Sequence, residues 1–209
     1  MEKRSAGDQS ATFCYIPAVR EAGESLGADV SDLQGAVFLV TGIPAAGKST
    51  VAEGLARRFA RSVHVRGDEF RRMVVSGRVA MSPNPSPEAW AQLRLRYRLA
   101  AMTADAWHDA GFTVVMQDVI VGPVLAEQVT AIASRPLYLV VLAPDPAAVA
   151  SREAARPKTG YNDGWSIGEF DAGFRATTPR IGLWIDSSMQ SSDETVDEIL
   201  RRARTEAAV

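Results

Sequence analysis

Cysteine is nearly absent from this chain of 209 residues: Cys14 is the single one, so no disulfide can close within it, and a reducing compartment is expected. Histidine is almost as scarce. His64 and His108 stand far apart, and with one cysteine they make no spaced set of metal ligands. Charge of one sign is not in excess either. The 23 Lys and Arg face 25 Asp and Glu, a formal net charge of −2 that gives no bulk attraction for a nucleic acid. No apolar run reaches the length of a bilayer span. The first ten residues, MEKRSAGDQS, lack the apolar centre of a signal peptide. There is no internal repeat, heptad array or low-complexity tract. These absences leave a cytoplasmic globular protein with neither a nucleic acid nor a membrane as partner.

Hydrophobic residues make up 46% of the chain and charged residues 23%, and the length fits one domain with a sizeable core. Residues 1–33 mix small and charged side chains around one apolar patch, Phe13 to Ile16, and read as a peripheral extension. The domain itself is expected over 34–209. Five short runs there are rich in Val, Leu and Ile: AVFLVT (36–41), SVHVR (62–66), FTVVMQ (112–117), LYLVVL (137–142) and IGLWID (181–186). Several lack polar alternation, which is how strands covered on both faces read. Helical patterns separate them. Val51, Leu55 and Phe59 recur every four residues. Ser86-Pro87 and Asp145-Pro146 each place a cap before a proline at the first helical position. Ser191 and Glu194 have capping-box spacing ahead of Val196, Ile199, Leu200 and Ala203. Strand and helix thus alternate, which predicts a parallel sheet with helices on both faces.

Residues 41–50 read TGIPAAGKST, following the first strand run and preceding a helical one. Gly42 and Gly47 let the backbone curl so that several N–H groups point inward, and the helix beginning near Lys48 adds its positive end. Lys48 can reach the β and γ phosphates of a nucleotide, and Ser49 can place its hydroxyl on Mg²⁺. Gly42, Ala45, Ala46, Gly47, Lys48, Ser49 and Thr50 are therefore the expected nucleotide contacts. Such a loop does not define an activity. The chain shows no Asn-Lys-x-Asp for guanine and no Leu-Ser-Gly-Gly-Gln signature, and a ring-forming AAA-type ATPase normally needs more chain than is left. A compact kinase is what stands.

With these residues assembled, the chain resembles the small-molecule P-loop kinases, most nearly the chloramphenicol phosphotransferase and tunicamycin-resistance types. The resemblance spans about 36–203 and is carried by GIPAAGKST, VRGDEF, VVMQDVIVG and the arginine-bearing region after LVVLAPDP. Zeta-toxin, gluconate and adenylylsulfate kinases share much of this layout. The resemblance implies a three-layer α/β P-loop NTPase fold, a five-stranded parallel sheet in the order 2-3-1-4-5, and a lid over about 152–173. It also implies ATP with Mg²⁺ as cofactors and a hydroxyl of a small organic molecule as acceptor, with antibiotic or nucleoside-type natural products foremost. A toxin-like or metabolic kinase acting on a sugar or nucleotide is the second reading. A nucleotide-dependent regulator without an acceptor is the third.

Asp68 lies just past the second strand run. The carboxyl ends of strands in an open parallel sheet line the ligand crevice, so Asp68 is expected to look toward the loop. In the resembled kinases an acid here accepts the proton of the substrate hydroxyl; Asp68 also suits an N-cap for EFRRMV. Asp118 closes the third strand run, where an acid can hold Mg²⁺ or bind the acceptor, and the two carboxylates could exchange roles. Gln117 can point into the site or away from it. Arg152, Arg156 and Lys158 follow the fourth strand, in the region that forms a lid over the phosphates in the resembled kinases. Arg94 and Arg98 share a face of the long helix with Arg96 between them; they can frame an acceptor pocket, but such residues read more often as a solvated helix face. MSPNPSP (81–87) and RPKTGYNDGW (156–165) are loop-like stretches able to bend over a cleft, the second carrying Tyr161 and Trp165. Trp90, Trp107 and Trp184 read as packing residues, and His64 as a hydrogen-bonded interior one.

Overall fold

The structure, a computed structural model, describes residues 30–155, 160–161, 164 and 166–209. The Phe13 to Ile16 patch, Arg156, Lys158 and Trp165 lie outside the described residues.

Five parallel strands form one sheet: β1 (Val37–Gly42), β2 (Ser62–Arg66), β3 (Thr113–Gln117), β4 (Leu137–Leu142) and β5 (Leu183–Ile185), in the order β2-β3-β1-β4-β5. Two of the expected strands, 62–66 and 137–142, have the expected bounds, and the others differ by one or two residues at their ends. Every residue of β1, β3 and β4 is buried. That explains their unbroken apolar sequence, since each lies between two strands and under helices on both sides. A fully buried Leu, Ile or Phe side chain contributes roughly 1.5–3 kcal/mol relative to exposure. Phe38, Leu39, Met116, Leu139 and Leu142 supply much of this inner layer. β2, at the edge, is half-buried along most of its length.

Seven helices flank the sheet among the described residues: α1 (Lys48–Ala56), α2 (Gly67–Arg72), α3 (Pro87–Asp109), α4 (Val124–Ala131), α5 (Pro146–Ala154), α6 (Ile167–Thr177) and α7 (Ser192–Arg202). Their starts are set locally. Ser86 Oγ accepts a hydrogen bond from Ala89 N at 3.1 Å with Pro87 at the first position, and Asp145 Oδ1 accepts one from Ala148 N ahead of α5. At α7 the capping box is complete: Ser191 Oγ accepts from Glu194 N at 3.2 Å, and Glu194 Oε2 accepts from Ser191 N at 2.8 Å. α1 packs beside α7, and α3 beside α4.

β1 is the centre of the sheet, and the chain direction of assembly reverses there: β3 pairs on one side and β4 on the other. A crevice opens beyond the carboxyl ends of strands at such a switch point. Residues 43–47, which follow β1, and residues 118–120, which follow β3, lie at that end.

Candidate active site

The loop between β1 and α1 has the backbone its glycines predict. Gly42 sits at φ 145°, and a Cβ on it would lie 2.4 Å from the carbonyl oxygen of Leu142. Gly42 thus lets the loop leave the sheet beside β4. Gly47, at φ 97°, is the N-cap of α1, and Ala45 also has a positive φ, 60°. A strained non-glycine residue of this kind costs on the order of 1–3 kcal/mol and persists where its surroundings over-determine it. Residues 44–51 line a cleft of about 700 Å³. Lys48 is buried, with Nζ donating to the carbonyl oxygen of Ile43 at 2.7 Å, so its ammonium is held against the loop. Ser49 and Thr50 are exposed to the cleft.

Arg152, in the last turn of α5, reaches across to this loop. Its Nη1 donates to the carbonyl oxygen of Ala46 at 3.4 Å, and its Nη2 donates to that of Ser187 at 2.5 Å. One guanidinium therefore ties the phosphate loop to the segment after β5 and lines the cleft.

The two carboxylates differ in setting. Asp68 lies in the first turn of α2, whose N-cap is Arg66, so the capping role that its sequence position allows is not the one it takes. Asp68 is exposed to the cleft and makes no hydrogen bond or ion pair among the described residues. Asp118 is 4% exposed. Its Oδ1 accepts from Arg96 Nη2 at 2.9 Å and from Val119 N at 2.7 Å, while Oδ2 is buried and has no hydrogen-bond partner among the described residues. Burial pushes the Asp118 carboxyl up to about 6, against the opposing pull of Arg96 and the Val119 N–H; Asp68 pushes the same way as burial, and Lys48 opposes it. Asp68, Asp118 and Lys48 line the same cleft.

The loop bearing Asp118 is clamped. Thr41 Oγ1 donates to the carbonyl oxygen of Ile120 at 2.8 Å and accepts from Ile120 N at 2.9 Å. Tyr97 donates its phenol to the carbonyl oxygen of Val119 at 2.5 Å, and burial raises the Tyr97 pKa above its ordinary range.

A second cavity, of about 410 Å³, adjoins the first. Pro44, Asp68, Arg71, Asp118, Val119 and Gly160 line both. The walls of the second are mostly apolar: Phe70 from α2, Trp90, Leu93 and Tyr97 from α3, and Tyr161 and Phe170 from the region after α5. Met81, Pro83 and Pro85 cover it, so the proline-rich stretch does bend over a cleft. Tyr161 donates its hydroxyl to the carbonyl oxygen of Pro44 at 3.0 Å, linking this cavity to the phosphate loop.

Of the residues expected from sequence, Ala45 to Thr50, Asp68, Asp118 and Arg152 meet at one cleft. Gly42 serves through its backbone, and Arg156 is outside the described residues. Gln117 is buried and lines the cleft, which settles its direction. Arg96 corrects the solvated-face reading. It is largely buried against Asp118, whereas Arg94 stays exposed beside Glu127. The spacing carried the signal, because a residue midway between i and i+4 faces the opposite side of a helix. Trp90 and Trp107 are partly exposed, Trp107 packing edge-on against Phe112 at 5.0 Å, and Trp184 is half-buried, stacked on Phe174 at 5.2 Å. His64 is the hydrogen-bonded residue expected, with Nδ1 2.9 Å from Glu53 Oε2. Ser187, Gln190 and Thr195 also line the cleft. Ser187 and Gln190 follow β5, where the strand-end rule would have flagged them.

A metal cage of protein side chains is not part of this site: among the described residues no three His, Cys, Asp or Glu cluster to hold an ion. A divalent cation would rest on Ser49, a carboxylate and the phosphates of a nucleotide, which suits Mg²⁺, an ion that keeps several waters.

Fold and cleft together define a P-loop domain of the kinase type. The chain belongs to the AAA domain family AAA_33, whose model matches residues 37–167. Among solved structures it is similar to an unliganded sugar kinase from Janibacter sp. HTCC2649, at 15% identity and a TM-score of 0.60, covering 79% of this chain and 92% of that one. It is similar to the tunicamycin resistance protein of Deinococcus radiodurans, at 12% identity and a TM-score of 0.58, covering 83% and 98%. It is also similar to the APS kinase of Mycobacterium tuberculosis in complex with AMPPNP and APS, at 17% identity and a TM-score of 0.57, covering 82% and 99%. At these identities the likeness is one of fold. No curated protein matches the sequence.

Proposed function

We propose that the chain is an ATP-dependent phosphotransferase that phosphorylates a hydroxyl of a small organic molecule, an antibiotic or nucleoside-type natural product, in the cytoplasm. The observation that carries this reading is the junction of the two cavities at Asp68 and Asp118. A polar cleft with a phosphate loop opens onto an apolar pocket, and carboxylates stand where the two meet. The solved APS kinase with AMPPNP shows that a fold of this kind holds an ATP analogue.

In this reading the loop amides, Lys48 and Arg152 hold the triphosphate and offset the charge that develops on the transferred group. Mg²⁺, when bound at Ser49, supplies further positive charge at the phosphates. Asp68 is the better placed base. It is exposed and has no hydrogen bond or ion pair among the described residues, whereas Asp118 is buried and engaged by Arg96. Asp68 orients the acceptor hydroxyl and takes its proton as the new P–O bond forms. Asp118 supports the metal or the acceptor through its negative charge. A regulator without an acceptor would leave the second cavity without a use. The test is ADP release measured with and without a panel of hydroxyl compounds. Stimulation by one of them, with a matching phosphate mass gain on that compound, is the expected result. Hydrolysis indifferent to every compound but altered by a protein partner would overturn it.

A further inference from the structure

The second cavity says more about its occupant than that it bears a hydroxyl. Its interior surface comes from Phe70, Leu93, Tyr97, Val119, Val121 and Phe170, all buried or half-buried. Arg71, Arg78 and Arg96 are the cations on its walls among the described residues. Arg96 is largely buried and its charge is offset by Asp118 at 2.9 Å. Arg71 is exposed and also lines the first cavity, beside Asp68, and Arg78 is exposed on the wall of the second. Among the described residues Asp68 and Asp118 are the negative groups where this cavity meets the first.

We infer that the acceptor is an alcohol with an aromatic or branched apolar body, seated in this second cavity with its hydroxyl at Asp68. The inference rests on the kinase reading and narrows its substrate class. A polyol acid such as gluconate would have to bury several hydroxyls against mostly apolar walls. It would recover few hydrogen bonds for the water it gave up. A flat ring or branched chain instead removes apolar surface from water on both sides of the contact. A volume of about 410 Å³ is within the range that encloses drug-sized molecules. Continuity with the phosphate loop, through shared Pro44 and the Tyr161 hydroxyl on its carbonyl, puts the hydroxyl end of such a molecule toward the phosphates.

The test uses the full chain and 2-(2-naphthyl)ethanol, a neutral aromatic alcohol, titrated by calorimetry without nucleotide beside D-gluconate. The expected result is binding of the naphthyl alcohol at least tenfold tighter than gluconate. Trp90→Glu and Leu99→Glu, at positions 37% and 38% exposed and therefore tolerant of a charge, each place a carboxylate on the pocket wall. Both should weaken that binding at least tenfold, with melting temperatures close to that of the parent. Tighter gluconate binding, or naphthyl alcohol binding indifferent to both substitutions, would overturn the inference and leave the kinase reading in place. A separate titration with a fluorescent ATP analogue and Mg²⁺ reads the other premise: no nucleotide binding by the parent chain would overturn the kinase reading, and the acceptor with it.

Discussion

The Cα of Gly67 faces the carboxylate of Asp118 so closely that a Cβ built on it would lie 2.0 Å from Oδ2. The first residue of α2 and the residue after β3 can therefore approach only because one of them has no side chain. Gly67 has no unusual φ, so its need is for space alone. Gly67→Ala should turn Asp118 away from Arg96. Overpacking of this kind costs about 1–3 kcal/mol. The loss should appear in the melting temperature, with a drop in phosphate transfer larger than the loss of stability explains.

Arg96 should matter more than the other arginines of α3. Removing one member of a buried ion pair leaves the other uncompensated, at a cost of about 3–5 kcal/mol. Arg96→Ala is expected to destabilise strongly at pH 8. Arg94→Ala, which loses an exposed 3.6 Å contact with Glu127 and a position over the Trp90 ring at 5.9 Å, should change stability by less than about 1 kcal/mol. Denaturant unfolding of the two variants side by side checks this. Equal losses would show that Asp118 does not depend on Arg96.

Asp118 should also leave a mark on the pH dependence of stability. Its folded-state pKa is raised to about 6 from 3.8, so between these values the folded chain binds more protons than the unfolded one. Stability from this group is thus gained as pH falls through about 6 and lost as pH rises through it. In metal-free protein, lowering the pH from 7.5 to 5 should stabilise the parent relative to Asp118→Asn by about 1.4 kcal/mol, or about 3–5 °C in melting temperature. A pH-independent difference between the two would place the carboxyl in a more solvated setting than its burial indicates.

Asp68 and Lys48 should separate chemistry from binding. Asp68→Asn keeps the shape and removes the base, so turnover should fall at least about 10²-fold while affinity for the ATP analogue stays within about twofold. Lys48→Ala should weaken both, because the ammonium touches the bound phosphates as well as the reacting ones. Nearly normal turnover in Asp68→Asn would remove it as the base and turn attention to Asp118.

Much of the fold was legible along the chain because its signals are local. LYLVVL is continuous in apolar character since β4 is covered on both faces, and Ser191 with Glu194 closes a cap within a single turn. The phosphate loop was legible for the same reason: its amides, Lys48 and Ser49 all come from a few consecutive residues. Asp68 could be placed at the crevice from the strand before it, but whether it capped α2 or faced the cleft depended on the turn the backbone takes after Arg66. Arg96 was misjudged as part of a charged surface, because its partner is 22 residues away on another element.

Residue order alone thus determined the alternation of strand and helix, the helix starts and the chemistry of the loop after β1, all of which arise from neighbours within a turn or two. Packing decided the rest. It buried Asp118 and raised its pKa, chose Arg96 as its counter-charge, required glycine at 67, and enclosed an apolar pocket between α2, α3, Tyr161 and α6. The physical reason is that burial, electrostatic pairing and cavity shape depend on distances between segments far apart in the chain, which a pattern read along the chain does not contain.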